Sequence, residues 1–211
     1  MKRYRIHYHK TKDNRYTSNL DIHKMWERWL RRARLPISYS QGFHPQPRIN
    51  QAAPLPLGMI SQFEMVDIWL DEDLSVQEVL TRLTSTPQAG LPIIAIQEVD
   101  LSLPAMQAAL LSSRYQIHFL DDMDEENLQE KVSHLLLQPS ILRERRGKSY
   151  DLRPLLLDLQ VEHAQTGELV LNTELSMQSG ATGRPDEVVE ALGISQEDVL
   201  IERTCLTFPS V

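Results

Sequence analysis

The stretch Arg3-Tyr4-Arg5-Ile6-His7-Tyr8-His9 alternates with a period of two and is rich in aromatic and β-branched types, the pattern of a half-exposed strand. A polar connection over residues 10–15 follows. Ser18 with Asp21 three residues on resembles a capping box, with Asp in place of Glu. This predicts a helix through about residue 34, with Leu20, Met25, Trp26, Trp29, Leu30 and Ala33 on its apolar side. Lys24, Arg28, Arg31 and Arg32 fall on the other side, and Pro36 stops the helix. Residues 49–57 read as extended, Gly58 as a turn, 63–70 as a strand, 76–83 as a short helix and 91–99 as another strand. The order β-α-β-β-α-β is that of a ferredoxin-like split unit.

Beyond a linker or short helix over residues 101–113, the scheme restarts. Residues 114–120 read as a strand, 125–137 as an amphipathic helix, and a strand begins over 150–159. Residues 161–164 and 169–175 flank Gln165-Thr166-Gly167 as a hairpin. A helix over 185–192 has Pro185 in its first turn and Gly193 after its end, and 199–208 is the last strand. The expected fold is α+β: two tandem ferredoxin-like (βαββαβ) units with antiparallel sheets, one over residues 1–100 and one over 114–211.

Charge divides the 211 residues unevenly. Residues 1–50 hold 12 of the 22 Lys and Arg and 3 of the 29 Asp and Glu, a local balance of +9, against −16 for the remainder. Such a split suggests that the basic end meets phosphates or an acidic protein face; attraction between two halves of opposite sign is the plainer reading. No apolar run approaches the roughly 20 residues of a membrane helix, and residues 1–5 show no apolar signal segment. Cys205 is the one cysteine, which excludes an internal disulfide and a cysteine-held cluster. It reads as a small buried hydrophobe. These features together point to a cytoplasmic protein.

Three stretches carry candidate chemistry. Lys24, Arg28, Arg31 and Arg32 recur at three- and four-residue steps, so one helix face presents a row of cations, reinforced by Arg3, Arg5, Lys10, Lys12 and Arg15. Phosphate backbone binding needs such a surface, and so does an acidic partner. In the loop 39–48, Tyr39, Phe43 and His44 interleave with Gln41, Gln46 and Arg48, the mixture of stacking faces and polar donors that single-stranded RNA recognition uses. Alternatively, Phe43 anchors the loop to the core. In the third stretch, Gly180, Thr182, Gly183 and Arg184 precede a helix and can hold an anion, or form a plain glycine turn. A lesser cationic cluster is Arg143, Arg145, Arg146 and Lys148. The seven histidines show no compact ligand motif, so no metal or other cofactor is expected. His7 and His9 share a strand face by spacing.

Ser18-Asn19-Leu20-Asp21, Glu27-Arg28 through Leu35-Pro36, Tyr39-Ser40-Gln41-Gly42-Phe43-His44-Pro45, Leu55-Pro56-Leu57-Gly58, Lys148-Ser149-Tyr150-Asp151-Leu152-Arg153-Pro154 and Gly183-Arg184-Pro185-Asp186-Glu187-Val188 closely resemble the bacterial radical-SAM-linked domain of unknown function. The resemblance implies a radical-SAM protein as partner and names no catalytic residue. A radical-SAM enzyme normally needs three closely spaced cysteines for its cluster, so the expected role is an accessory that binds RNA or presents a substrate. Two other readings stay open: a metal-independent endoribonuclease of tandem ferredoxin-like type, with His44 or His7 as acid or base, and a pure protein–protein adaptor.

Overall fold

The computed structural model describes residues 1–145 and 147–209, so Arg146 lies outside the described residues. The fold is mixed α+β with antiparallel sheet pairings and five α-helices among the described residues. The chain divides into two compact units, Met1–Ala109 and Leu110–Val211. The division falls inside residues 101–113, where a short helix precedes the next strand. No helix among the described residues is long and apolar enough to cross a membrane.

The first unit consists of β1 (Lys2–Lys10), α1 (Asn19–Arg32), β2 (Ile49–Gln51), β3 (Ile60–Leu70), α2 (Val76–Thr84), β4 (Ile93–Val99) and α3 (Met106–Ala109). β1 pairs antiparallel with both β3 and β4, and β2 pairs antiparallel with β3, giving the strand order β4-β1-β3-β2. Alternation along β1 sends Tyr4, Ile6 and Tyr8 into the core, where they meet Ile22, Trp26, Trp29 and Leu30 of α1. Trp26 stacks on Trp29 with centroids 4.8 Å apart, and Tyr8 meets Trp26 edge-on at 5.0 Å. Aromatic pairs in such offset and edge geometries contribute beyond their burial.

The helix signals act as their chemistry requires. The Ser18 hydroxyl oxygen accepts from the Asp21 N–H and its O–H donates to Asp21 Oδ2 at 2.7 Å. At the other end the Leu35 N–H reaches the Leu30 carbonyl, which puts Arg34 in the left-handed region at φ 53°, a position that glycine normally takes. Leu20, expected in the core, is instead exposed and Ile22 is buried. One residue of rotation decides which side chain a helix start turns inward. Residues 52–57 do not continue β2: Pro54 and Pro56 withhold amide donors from a ladder.

The second unit contains β5 (Ser112–Phe119), α4 (Glu125–Leu137), β6 (Leu142–Arg145), β7 (Lys148–Asp151), β8 (Leu156–His163), β9 (Leu169–Gln178), β10 (Ala181–Thr182), α5 (Pro185–Ala191) and β11 (Val199–Thr207). Its main strands run β11-β5-β9-β8, all antiparallel, the order of the first unit. Leu128, Val132 and Leu135 of α4 and Val188 and Val189 of α5 are buried, as are Ile117, Leu171, Leu175 and Ile201. The β6–β7 hairpin is absent from the sequence expectation, because Arg143-Glu144-Arg145 lacks the apolar alternation that marks a strand. Cys205, expected to be buried, is partly exposed.

Candidate functional site

Loop 39–48 grows from the edge of β3. Ile37 bridges Leu70, the Ser38 N–H donates to the Trp69 carbonyl at 2.8 Å, and the Trp69 N–H donates to the Arg48 carbonyl at 3.1 Å. Its neck is closed twice. The Ser40 N–H donates to the Gln46 carbonyl at 2.8 Å, and the Gln46 N–H donates to the Ser40 hydroxyl at 2.9 Å. Tyr39 bridges Pro47 just below. Gly42, at φ 134°, turns the tip in a conformation that side chains resist.

The tip therefore holds Gln41, Phe43 and His44 outward. Phe43 is fully exposed, so it does not anchor the loop, and Tyr39 is 40% exposed. Among the described residues the His44 imidazole has no hydrogen-bond or ion-pair partner. At the base, Arg48 lies over the Trp69 ring at 4.9 Å and Arg3 over the same ring at 5.1 Å. Cations stacked on an indole hold it in place.

The cation row divides. Lys24 and Arg28 are exposed on α1, four residues apart and free of hydrogen bonds or ion pairs among the described residues. Arg31 lies 3.7 Å from Glu27, which His23 also approaches at 3.5 Å. Arg32 turns away and donates to the carbonyls of Thr86 and Pro87 and to Gln88. It pins a turn.

Arg3 and Arg5 do not strengthen this field. Both guanidiniums bind Asp67, Arg3 through Nη2 at 2.5 Å and Arg5 through Nε at 2.9 Å. Arg3 is 2% exposed and Asp67 0%. Arg3 also donates to the carbonyls of Leu103 and Pro104. A strand alternates its faces, so Arg3, Arg5 and His7 share the side opposite the aromatic core. His7 is half-buried and meets Phe63 edge-on at 5.4 Å. Burial and then the Arg5 charge push its pKa below the ordinary histidine value, opposed by Asp67. The ladder slips at Tyr8, so spacing alone does not place His9 beside His7.

The glycine loop of the second unit is already occupied by its own bonds. Gly180, at φ 78°, turns a hairpin from β9 into β10. The Thr182 hydroxyl donates to the Gln178 carbonyl, and the Gly183 N–H donates to the Ser176 carbonyl at 2.8 Å. Arg184 Nε donates to both carboxylate oxygens of Asp186, and Nη2 adds a third bond. Three of the groups expected to hold an anion, the Thr182 hydroxyl, the Gly183 amide and the Arg184 guanidinium, are thus engaged internally, and Asp186 supplies the negative charge that Arg184 would otherwise seek.

A second cluster lies nearby in the same unit, and the sequence reading reached it only through Arg143, one of the lesser cationic cluster. Arg143 Nε donates to Glu187 at 2.7 Å and Nη2 to Glu190. Tyr150 pairs with Arg143 in the β6–β7 register. Its hydroxyl is buried without a hydrogen-bond partner among the described residues. Burial, then the carboxylates of Glu187 and Asp186, push the phenol above its ordinary pKa. A further sequence signal was that Tyr150, Asp186 and Glu187 belong to two of the family-like stretches. Among the described residues no group of three His, Cys, Asp or Glu side chains is placed to hold a metal ion.

No curated protein matches the chain. Among solved structures, one in a Cbf5-Nop10-Gar1 complex aligns with a TM-score of 0.52 at 8% identity, over 96% of this chain and 48% of that one. The likeness concerns fold alone, and this chain spans about half of that protein. The small subunit of acetolactate synthase from Thermotoga maritima aligns at 11% identity over 98% of this chain and 95% of its own, but with a TM-score of 0.28, which carries no argument. The family comparison is decisive where these are not: a family model matches residues 3–185, and the chain belongs to that family, the uncharacterised proteins conserved in bacteria called DUF2344.

Proposed function

We propose that the chain is a non-catalytic RNA-binding accessory that docks its ligand through the first unit. The observation that carries this reading is the fully exposed Phe43 on a loop whose neck is closed by paired Ser40–Gln46 hydrogen bonds. Holding a phenyl ring in water on an ordered loop gains nothing for folding, whereas a ring already in place stacks on a base with little ordering cost. Lys24 and Arg28, with Arg31 partly shared by Glu27, supply cations for phosphates. The loop offers Gln41, His44 and Tyr39 near the ring, while Arg48 stays at the base against Trp69 and Met1.

In the same reading the two β-α-β-β-α-β units are tandem ferredoxin-like domains, supported by their common strand order. The partner served is a radical-SAM protein, supported by the motif resemblance and by the single cysteine of this chain. The test is fluorescence anisotropy with a labelled oligouridine at two salt concentrations. Three phosphate contacts give a log–log slope of about −2 for a single strand. Replacing Lys24, Arg28 and Arg31 together by Glu should abolish binding at low salt. Absence of binding by the unaltered chain, or full binding by the triple variant, overturns the reading.

A further inference from the structure

Three large side chains that the loop does not use stand in solvent near the start of α1. Tyr16 is 72% exposed, Leu20 72% and Leu57 61%. Backbone pairing draws them together. The Gly58 N–H donates to the Arg15 carbonyl at 2.9 Å, and Arg15 Nε donates to the Gly58 carbonyl at 2.8 Å. Tyr16 and Leu57 flank that pair in the chain, and Leu20 lies in the first turn of α1. The Arg15 guanidinium lies over the Tyr16 ring at 5.2 Å, so one ring face is backed by a cation while most of the side chain stays in water. An ordered aromatic and two leucines grouped at the surface mark a binding surface more often than scattered single residues do.

The sheet register sets this patch and loop 39–48 at opposite ends of the first unit. Lys10 at the end of β1 pairs with Ser61, three residues after Gly58. Lys2 at its start pairs with Leu70, which bridges Ile37 beside the loop. Between the two ends runs α1, whose 14 residues span about 21 Å. Lys24, Arg28 and Arg31 lie along its exposed side.

We infer that Tyr16 is a second base-stacking platform, and that one single strand of RNA runs the length of α1 from Tyr16 past Lys24, Arg28 and Arg31 to Phe43. This inference rests on the RNA reading above and adds the strand's path and a second stacking residue. Charge selects the occupant: Lys24 and Arg28, one and two turns along α1 from Leu20, are exposed without an ion pair among the described residues, and residues 51–62 carry no charged side chain at all. A wholly apolar partner leaves those two cations unmatched. A duplex keeps its bases stacked inward and offers no free faces to two separate rings, whereas a single strand offers one at each end.

The experiment compares labelled oligouridines of about 12 and about 4 nucleotides, a range that brackets the smallest single-strand sites. With the longer strand, Tyr16→Ala should weaken binding roughly tenfold, the loss of one stacked base, and Tyr16→Phe should restore it. With the shorter strand, which reaches one platform at a time, Tyr16→Ala should change affinity by about twofold or less. A self-complementary duplex should bind more weakly than the long single strand and be indifferent to Tyr16. If Tyr16→Ala leaves the long strand unaffected while the triple Lys24, Arg28, Arg31 reversal abolishes it, the path is overturned and the RNA reading stands. Equal loss with both lengths also overturns the path. No binding by the unaltered chain overturns both. Tyr16 is largely exposed, so the thermal midpoint of Tyr16→Ala serves as the folding control.

Discussion

The loops 39–48 and 179–184 are made from similar parts. Each contains a glycine at positive φ, Gly42 and Gly180, each carries hydroxyl side chains, and each ends in an arginine. They differ in what those parts bind. In the first, the backbone and Ser40 close the neck and leave Gln41, Phe43 and His44 to solvent. In the second, the hydroxyl of Thr182, the amide of Gly183 and the guanidinium of Arg184 all bind neighbours in their own segment or strand. The difference lies in the side chains beyond the closures: Gln41, Phe43 and His44 are exposed at the tip of the first loop, whereas Thr182 and Arg184 of the second are engaged within their own segment.

The sharpest way to break this contrast is at the root of the first loop. Trp69 sits between the cations of Arg3 and Arg48, and Arg3 is held by Asp67, with both members of that pair almost wholly buried. Asp67→Ala leaves the Arg3 charge in the interior without its counter-ion. Urea denaturation should show a loss of about 3–5 kcal/mol, the usual cost of breaking a buried pair from one side. A loss under about 1 kcal/mol would mean that the Leu103 and Pro104 carbonyls satisfy Arg3 by themselves, and that Asp67 does not hold the loop's base.

A smaller effect tests the second loop. A Cβ on Gly183 would lie 3.1 Å from two Leu175 side-chain atoms and 3.2 Å from the Leu155 carbonyl oxygen. Leu175 belongs to the core and the carbonyl to the backbone, so neither yields easily. Gly183→Ala should cost about 1–3 kcal/mol through overpacking, measured by the same denaturation. A neutral result would mean that this turn is plastic. It would also weaken the view that Gly183 is there for close packing and not for an anion.

Much of the fold was legible because its signals are local. The alternation of residues 3–9, the Ser18 cap and the Trp26–Trp29–Leu30 spacing each specify their element from a few neighbours. The helix at Glu125–Leu137 and the turn after Pro185–Ala191 follow from the same kind of local rule. Long-range partners were not legible. Nothing near Arg3 in sequence announces Asp67, 64 residues away, so two cations expected at the surface turned out to face a buried carboxylate. The Arg184–Asp186 bond is local, yet two readings of that arginine, anion ligand or internal clamp, share one sequence. Spacing also misplaced Leu20, whose exposure helps to define the Tyr16 patch.

The smallest effect on stability falls at a residue whose loss is expected to weaken binding. Phe43 touches no core residue and is fully exposed, so truncating it removes no buried area and opens no cavity. Phe43→Ala should leave the unfolding free energy within about 0.5 kcal/mol, as surface substitutions usually do. Its affinity for a single-stranded oligonucleotide should fall roughly tenfold, the value of one stacked base. Calorimetry and anisotropy on the same preparation separate the two quantities. If stability falls by more than about 1 kcal/mol, the ring packs against something in solution, and the first loop would resemble the second in using its own side chains. If stability and affinity both stay put, the loop is ordered for a partner that does not read the ring. The combination of unchanged stability and lost affinity follows only from a ring kept in water for a ligand, which is the difference that separates loop 39–48 from loop 179–184.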